Sequence, residues 1–181
     1  LIREHLGQNA IGLDVLAGNR VSDQPRPLVP TMFTGVLSRL RRTHNVILVD
    51  TADDMEHPVM KAVFDACDTL VFVSGLTADT SLPVTRGIDL LRSMGHHDLV
   101  SRSMVILNNS RNSDASDARA YLTERFSQSG ATVEFMPYDP HLAKGGIIDV
   151  QHELNKKTRL RLFQITAALA DRYTPDADRP R

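Results

Sequence analysis

The chain has 181 residues, of which 41% are hydrophobic and 5% aromatic, a composition that predicts one soluble domain with an aliphatic core. Its formal net charge of -1 excludes a strong overall attraction to nucleic acid or to an anionic membrane. A single cysteine, Cys67, excludes an internal disulfide framework and a metal site built from several cysteines. No apolar run reaches the length of a membrane span and no signal peptide opens the sequence, so we predict a cytoplasmic protein.

Short β-rich runs alternate with helix-length segments along the chain, which is typical of a parallel sheet with crossover helices. Several of the runs are almost continuously aliphatic, as expected for strands that are covered on both faces. The sequence therefore predicts the α/β class, with a mostly parallel sheet and helices on both of its faces. In chain order, strands are predicted at residues 11–18, 45–50, 69–74, 103–109 and 132–138, and helices at residues 31–44, 57–66, 82–94, 115–127 and 158–173.

The strand predicted at residues 45–50 passes from four apolar residues directly to Asp50, and Thr51, Asp53 and Asp54 follow closely. Burial disfavours an isolated carboxylate, so a cation or hydrogen bonds must compensate. One interpretation is that Asp50 holds Mg²⁺, directly or through its water shell. The other is that Asp50 caps the next helix or accepts backbone N–H bonds in the turn. The residue pattern alone leaves both interpretations open.

Polar residues also follow the later predicted strands. In an open α/β sheet, ligands bind beyond the carboxyl ends of the strands, so these positions are the candidates for function. Ser74 and Gly75 follow the third strand. The fourth and fifth strands are followed by Asn108, Asn109, Arg111, Pro137, Tyr138 and Asp139.

Four segments, NVILVDTADDM, ACDTLVFVSGLTADTSLPVTRGIDLLRSMG, MVILNNSRN and VEFMPYDPHLAKGG, together resemble the later two-thirds of a ParA/MinD-type ATPase. The similarity runs from about Ile11 to Tyr173, and the chain most resembles MinD-like proteins associated with type VII secretion. It implies a P-loop NTPase fold in residues 1–173, incomplete at the N-terminus, followed by a disordered polar tail at residues 174–181. Leu1 in place of an initiating methionine agrees with a piece of a longer protein.

The resemblance implies a role for each of five residues. Asp50 matches the Walker B aspartate, which holds Mg²⁺ through water, and Thr51 matches the residue beside it. Asn108 matches the asparagine placed against adenine, while Pro137 and Asp139 match the P-x-D turn that flanks the base. The family likeness thus implies ATP and Mg²⁺ as cofactors. It also implies a homodimer that forms on nucleotide binding, or a secretion or partitioning partner protein.

The sequence departs from the family pattern in two places. Asp53 and Asp54 stand where the family has a proline or a small pair, and their charges would repel a nearby triphosphate. The sequence also contains no phosphate-binding loop of the form K-G-G-x-G-K-[ST] or G-x-x-x-x-G-K-[ST]. The stretch KGGIIDV at Lys144 follows the last strand and is predicted to be a turn that uses Gly145 and Gly146. We therefore predict no catalytic residue in this chain and no ATP hydrolysis by the chain alone.

Two other functions remain open at this point. A non-catalytic interaction module could keep an ATPase-like shell as a docking surface for secretion or partitioning partners. A receiver-like domain also ends a buried strand on an aspartate, which accepts phosphate and would here be Asp50. The expected acidic pair on an earlier strand and lysine on a later one are missing from this sequence.

Nucleic acid is not the predicted partner, although two basic clusters lie on predicted helices. At a net charge close to zero, solvated helix faces explain these clusters better. The adjacent His96 and His97 are interpreted as part of a solvated loop, because neighbouring residues do not face one metal ion. The basic clusters consist of Arg39, Arg41, Arg42, Lys156, Lys157, Arg159 and Arg161.

Overall fold

The computed structural model describes residues 6–9, 12–16, 28–51, 54–112 and 114–172. The chain divides into two compact units, Leu1–Cys67 and Asp68–Arg181, each with its own internal packing. Asp53 and the predicted polar tail at residues 174–181 lie outside the described residues. None of the helices found in the described segments combines the length and the apolar content that crossing a membrane requires.

The first unit contains a short antiparallel strand pair and two helices. Strand β1 (Gly7–Gln8) pairs with strand β2 (Asp14–Val15). Helix α1 (Pro30–Leu40) and helix α2 (Pro58–Ala66) both begin with proline, which is well tolerated there because the first helical N–H has no partner within the helix. The two helices pack together. The buried hydrophobic side chains of this unit are Leu37, Val59, Met60, Val63 and Phe64.

The prediction of a buried strand at residues 45–50 is wrong. No residue of this range lies in a strand, and the exposed fractions of Val46, Leu48 and Val49 are 69%, 86% and 46%. An aliphatic run becomes a buried strand only where a neighbouring strand and a covering layer meet it, and local sequence does not supply either. The strand predicted at residues 11–18 is reduced to Asp14–Val15, and residues 11, 17 and 18 lie outside the described part of the chain.

The second unit is built on a three-stranded parallel sheet, which confirms the predicted α/β class. Its strands are β3 (Val71–Ser74), β4 (Met104–Asn108) and β5 (Thr132–Met136), in the order β3-β4-β5. In the register, Met104 lies opposite Val71 on one side and Thr132 on the other. The central strand β4 reads MVILN because both of its faces are covered.

Five helices accompany this sheet in the described part of the second unit. The helices predicted at residues 82–94, 115–127 and 158–173 are confirmed with shifted ends. Two five-residue helices were not predicted, because an apolar period cannot be recognised over so short a span; one of them begins at His97, in the predicted loop. The helices are α3 (Ala78–Ser93), α4 (His97–Ser101), α5 (Ser116–Gln128), α6 (Pro140–Lys144) and α7 (Lys156–Ala170).

Helix α7 covers one face of the sheet and runs antiparallel to the strands. Near its start, the Arg161 guanidinium binds the Glu134 carboxylate at 2.6 Å, while Arg172 beyond its end donates to the carbonyl of Ser103 at 3.0 Å. These contacts place the beginning of α7 at the carboxyl ends of the strands. The core under this helix consists of Met104, Met136 and Ile165, with Ile106, Leu162, Ala168 and Leu169 packed against it.

Helix α5 helps to cover the opposite face of the sheet. Phe135 points to this face, because it alternates with Met136 along β5. The Arg119 guanidinium lies 4.0 Å from the centre of the Phe135 ring, and Leu122 and Phe126 of α5 are buried. The second unit is therefore a layered α/β structure with helices on both sides.

The predicted glycine turn after α6 is confirmed. Gly145 and Gly146 have φ angles of 71° and 90°, in the left-handed region that favours glycine. Gly145 ends α6, and its N–H donates to the carbonyl of His141 at 3.3 Å. The KGG stretch thus terminates a helix after the last strand.

Candidate functional site

The five predicted site residues are divided between the two units. Asp50 and Thr51 belong to the first unit, where both are exposed. Asn108, Pro137 and Asp139 belong to the second unit, at the carboxyl ends of β4 and β5. The second unit thus brings three of the five residues to one edge of its sheet.

A polar cleft opens at the carboxyl ends of β3 and β4. Parallel neighbouring strands bring the loops that follow them to the same edge of the sheet. The cleft volume of about 30 Å³ is far below the roughly 300–1,000 Å³ of typical small-molecule sites, so a ligand would rest mostly above it. Its lining residues are Gly75, Leu76, Thr77, Thr80, Asn108, Asn109, Ser110 and Arg111.

The loop after β3 is held by hydroxyl groups. Buried Ser74 donates its Oγ–H to the carbonyl of Gly75 at 2.9 Å, and the carbonyl of Thr80 lies 3.3 Å away. The Thr77 N–H donates to Thr80 Oγ1 at 3.3 Å, as part of a capping box at the start of α3. A Cβ at Gly75 would lie only 2.5 Å from Thr80 Oγ1. This close approach requires glycine at position 75.

One basic side chain, Arg111, lines the cleft, and the acidic Asp79 lies in the first turn of α3. A hydrogen bond with the Thr77 side chain holds the pKa of Asp79 below its ordinary value, and the positive charge of Arg111 acts in the same direction. Arg111 is exposed, while Asn108 and Asn109 are half-buried. The cleft therefore offers amides, hydroxyls and one cation, a set suited to hydrogen bonding with a polar ligand.

Asp139 joins the start of α6 to the start of α7. Its Oδ1 accepts the His141 N–H at 2.9 Å, and its Oδ2 accepts both the Asn155 N–H at 3.0 Å and the Asn155 side-chain amide at 2.7 Å. The Asn155 side chain in turn caps α7 by accepting the Thr158 N–H at 2.9 Å. Both carboxylate oxygens of Asp139 thus already accept hydrogen bonds from the fold.

The pKa of Asp139 reflects these contacts. Burial favours the neutral acid, but hydrogen bonds from Asn155, His141 and Thr158 outweigh burial and bring the pKa below its ordinary value. The Asp139 side chain is completely buried. Asp139 is therefore a carboxylate that is ionised at neutral pH and holds two helix ends together.

The described residues contain no group of three histidine, cysteine, aspartate or glutamate side chains placed to hold a metal ion. A magnesium site at Asp50 would thus need ligands from a nucleotide or from water. Asp54 is exposed, and its carboxylate accepts the Glu56 N–H at 3.1 Å. In the described structure this carboxylate acts in a local turn.

A second polar cluster, not predicted from the sequence, lies in the first unit. His44 Nε2 lies 2.9 Å from Asp14 Oδ2, and Gln8 donates its side-chain amide to the other Asp14 oxygen at 3.1 Å. Thr43 Oγ1 lies 2.8 Å from His44 Nδ1. These residues border an open pocket of about 350 Å³. No local motif predicts the cluster, because Asp14 and His44 are far apart in the sequence and are brought together only by the fold.

Comparison with known proteins gives one distant relative with a described role. The chain is 27% identical over 174 residues to the ESX-1 secretion-associated protein EspI of Mycobacterium tuberculosis, in the strains CDC 1551 / Oshkosh and ATCC 25618 / H37Rv. The match covers 95% of this chain but only 26% of the relative. The chain thus spans about a quarter of the length of the curated relatives it matches.

Neither a family model nor a solved structure matches the sequence. The similarity to EspI runs through both compact units, because it covers nearly the whole chain. This chain and the matching part of EspI are therefore distant homologues.

Proposed function

We propose that this chain is a protein-interaction module that acts in type VII secretion, on the cytoplasmic side. The observation that carries the proposal is the similarity over 95% of the chain to a protein named for its association with ESX-1 secretion. The expected family likeness to type VII secretion-associated proteins points to the same process. The match covers only 26% of the longer relative, so the proposal concerns the module alone.

The geometry of the second unit supports binding over catalysis. The cleft at the strand ends is small, and the carboxylate of the predicted P-x-D turn, Asp139, already accepts hydrogen bonds from backbone and side-chain donors. A carboxylate that accepts several hydrogen bonds and has a lowered pKa is a poor general base at neutral pH. Protein binding requires no such group.

The test compares cells that produce the full-length protein with cells whose copy lacks this segment. Under the proposal, deletion lowers the amount of secretion substrates in the culture medium, while a cytosolic marker and the intracellular substrate pools persist. Quantitative mass spectrometry of the medium measures the change. An unchanged set of secreted proteins, at equal expression of both forms, would exclude a role in secretion.

A nucleotide-dependent switch of the MinD/ParA type is the second candidate, and Asn108 favours it. This residue ends the central strand, is half-buried and borders the polar cleft close to Arg111. We infer that Asn108 would contact the base of such a nucleotide, whereas Pro137 is buried and both Asp139 oxygens already accept hydrogen bonds. Bound ATP would supply its own phosphates as ligands for Mg²⁺, and nucleotide-dependent homodimerisation would follow.

Titration calorimetry of the full-length protein with ATP and Mg²⁺ tests this switch. If Asn108 contacts the base, Asn108→Ala should weaken binding about tenfold, because one amide contact contributes roughly 1.4 kcal/mol. Asn45→Ala is the matched control, since Asn45 is exposed and lies away from the sheet edge in sequence. Absence of binding heat in the unmodified protein would leave the interaction module as the function and exclude the switch.

A further inference from the structure

Helix α7 presents a second apolar stripe on the side opposite to the core. Leu160 and Phe163 have exposed fractions of 55% and 72%, and Ala167 and Ala170 are exposed as well. These four residues are spaced by three, four and three positions. Alternating spacings of three and four residues bring side chains into one line along a helix, as at the a and d positions of a heptad repeat.

The inner side of α7 packs against the core of the second unit. Thr158 and Ile165 are buried, and Leu162 and Leu169 pack on the same core cluster. A surface helix of a globular protein normally has one apolar stripe facing the core and polar residues opposite to it. The exposed stripe, with an aromatic ring at its centre, is therefore an additional surface that core formation does not explain.

The charges on α7 all have the same sign. Helix α7 contains four basic residues and no aspartate or glutamate, although the whole chain has a net charge of -1. Arg161 is paired with Glu134, and Arg159 donates to the carbonyl of Gln151. Lys157 and Arg159 lie beside the stripe, at the e and g positions that select partners in helix pairs.

We propose that the outer face of α7, defined by Leu160, Phe163, Lys157 and Arg159, docks an amphipathic helix of a partner protein whose flanking positions are acidic. The apolar seam would take the partner's a and d residues, and the basic pair would face its glutamates. This inference rests on the proposed interaction function and names the class of partner. A second copy packed in parallel is disfavoured, because it would bring like charges together at the same positions.

Nucleic acid would use the basic residues but not the apolar seam, because duplex contacts depend mainly on phosphates. An anionic membrane could use both, yet the residues that flank the seam further along α7, Gln164 and Thr166, carry no positive charge. The outer face of α7 is basic near its start and apolar and uncharged along the rest. This surface is complementary to a partner helix that is acidic at one end.

The experiment measures binding of the complete chain to a designed peptide of about four heptads, with leucine at a and d and glutamate at e and g. A matched peptide carries lysine at e and g. Fluorescence anisotropy should show preference for the glutamate peptide, and Phe163→Glu should weaken that binding at least about tenfold. The double variant Lys157→Glu/Arg159→Glu should reverse the preference toward the lysine peptide.

Tyr121→Glu is the matched control, because Tyr121 is a large exposed side chain on α5, with an exposed fraction of 59%. It should leave peptide affinity unchanged, and all variants should keep the thermal midpoint of the unmodified chain. The proposal is overturned if neither peptide binds, or if Phe163→Glu binds as well as the unmodified chain. Binding of duplex DNA, or of phosphatidylcholine vesicles containing phosphatidylglycerol, that exceeds peptide binding overturns it as well. Self-association of the unmodified chain in sedimentation experiments, if Phe163→Glu abolishes it, also overturns the proposal.

The same variant separates this inference from the proposed function. If the module acts in secretion through another surface, Phe163→Glu leaves secretion intact while deletion of the segment lowers it. If the module has no role in secretion, deletion has no effect, whereas peptide binding in solution still reports on α7. The two failures thus give different results.

Discussion

Replacement of Asp139 by alanine is expected to lower the free energy of unfolding by about 3 kcal/mol. The carboxylate is buried and accepts three hydrogen bonds from His141 and Asn155. Alanine removes these acceptors and leaves two backbone N–H groups without their partners at the starts of α6 and α7. The loss of Asn155 orientation would also weaken the cap on α7.

Chemical denaturation of the unmodified chain and of Asp139→Ala measures this difference. Asp139→Asn is the informative companion, since it has nearly the same shape but presents an NH₂ group to donors that need an acceptor. It should lose most of the same stability. If Asp139→Asn were as stable as the unmodified chain, the negative charge would have no part in joining the two helices.

Low pH should remove the contribution of Asp139 to the free energy of unfolding. Because hydrogen bonds hold the folded-state pKa of Asp139 below the ordinary aspartate value of 3.8, the carboxylate stabilises the fold fully above that ordinary value. The contribution is lost as the pH falls from there through the folded pKa. The stability difference between the unmodified chain and Asp139→Asn should therefore be constant near neutrality and shrink only in strong acid.

Gly75→Ala is expected to lower the free energy of unfolding by about 2 kcal/mol, because a methyl group at this position overpacks the loop between β3 and α3. Its Cβ would approach Thr80 Oγ1 to 2.5 Å and Thr80 Cβ to 3.0 Å. Relief requires Thr80 to move, which would disturb the capping box with Thr77. The cleft at the strand ends would change shape as well.

A double-mutant cycle with Thr80→Ala isolates this clash. In the Thr80→Ala background, Gly75→Ala should cost much less than in the unmodified chain, since the side chain that it meets is gone. Thermal and denaturant unfolding of the four proteins give the coupling energy. Equal costs in both backgrounds would mean that the strain arises from the backbone and that the side-chain contact is unimportant.

The sheet of the second unit could be predicted from the sequence because its strands are short aliphatic runs separated by helix-length segments. Runs such as MVIL in β4 need cover on both faces, and a parallel sheet supplies it. The same logic failed at residues 45–50, where an equally aliphatic run is exposed. An aliphatic run shows that a segment is able to form a buried strand. Whether it pairs with another strand depends on residues far away in the sequence, which the run itself does not reveal.

The candidate site was predictable in position but not in detail. Residues that end or follow parallel strands lie at one edge of the sheet, and Asn108 and Pro137 both do so. The role of Asp139 depends on Asn155, sixteen positions away, and the contact of His44 with Asp14 spans thirty positions. Both arise from tertiary packing, which is why neither could be found in the motif itself.

The exposed segment Val46 to Val49 also has a consequence for the behaviour of the protein in solution. Exposed β-branched and aliphatic residues that pair with no strand can form a template on which other chains add strands, the usual start of aggregation. The negative charges that follow at Asp50 and Asp54 oppose such stacking by mutual repulsion between copies. The negative charge of Asp50 is therefore expected to act as a gatekeeper that keeps neighbouring molecules apart.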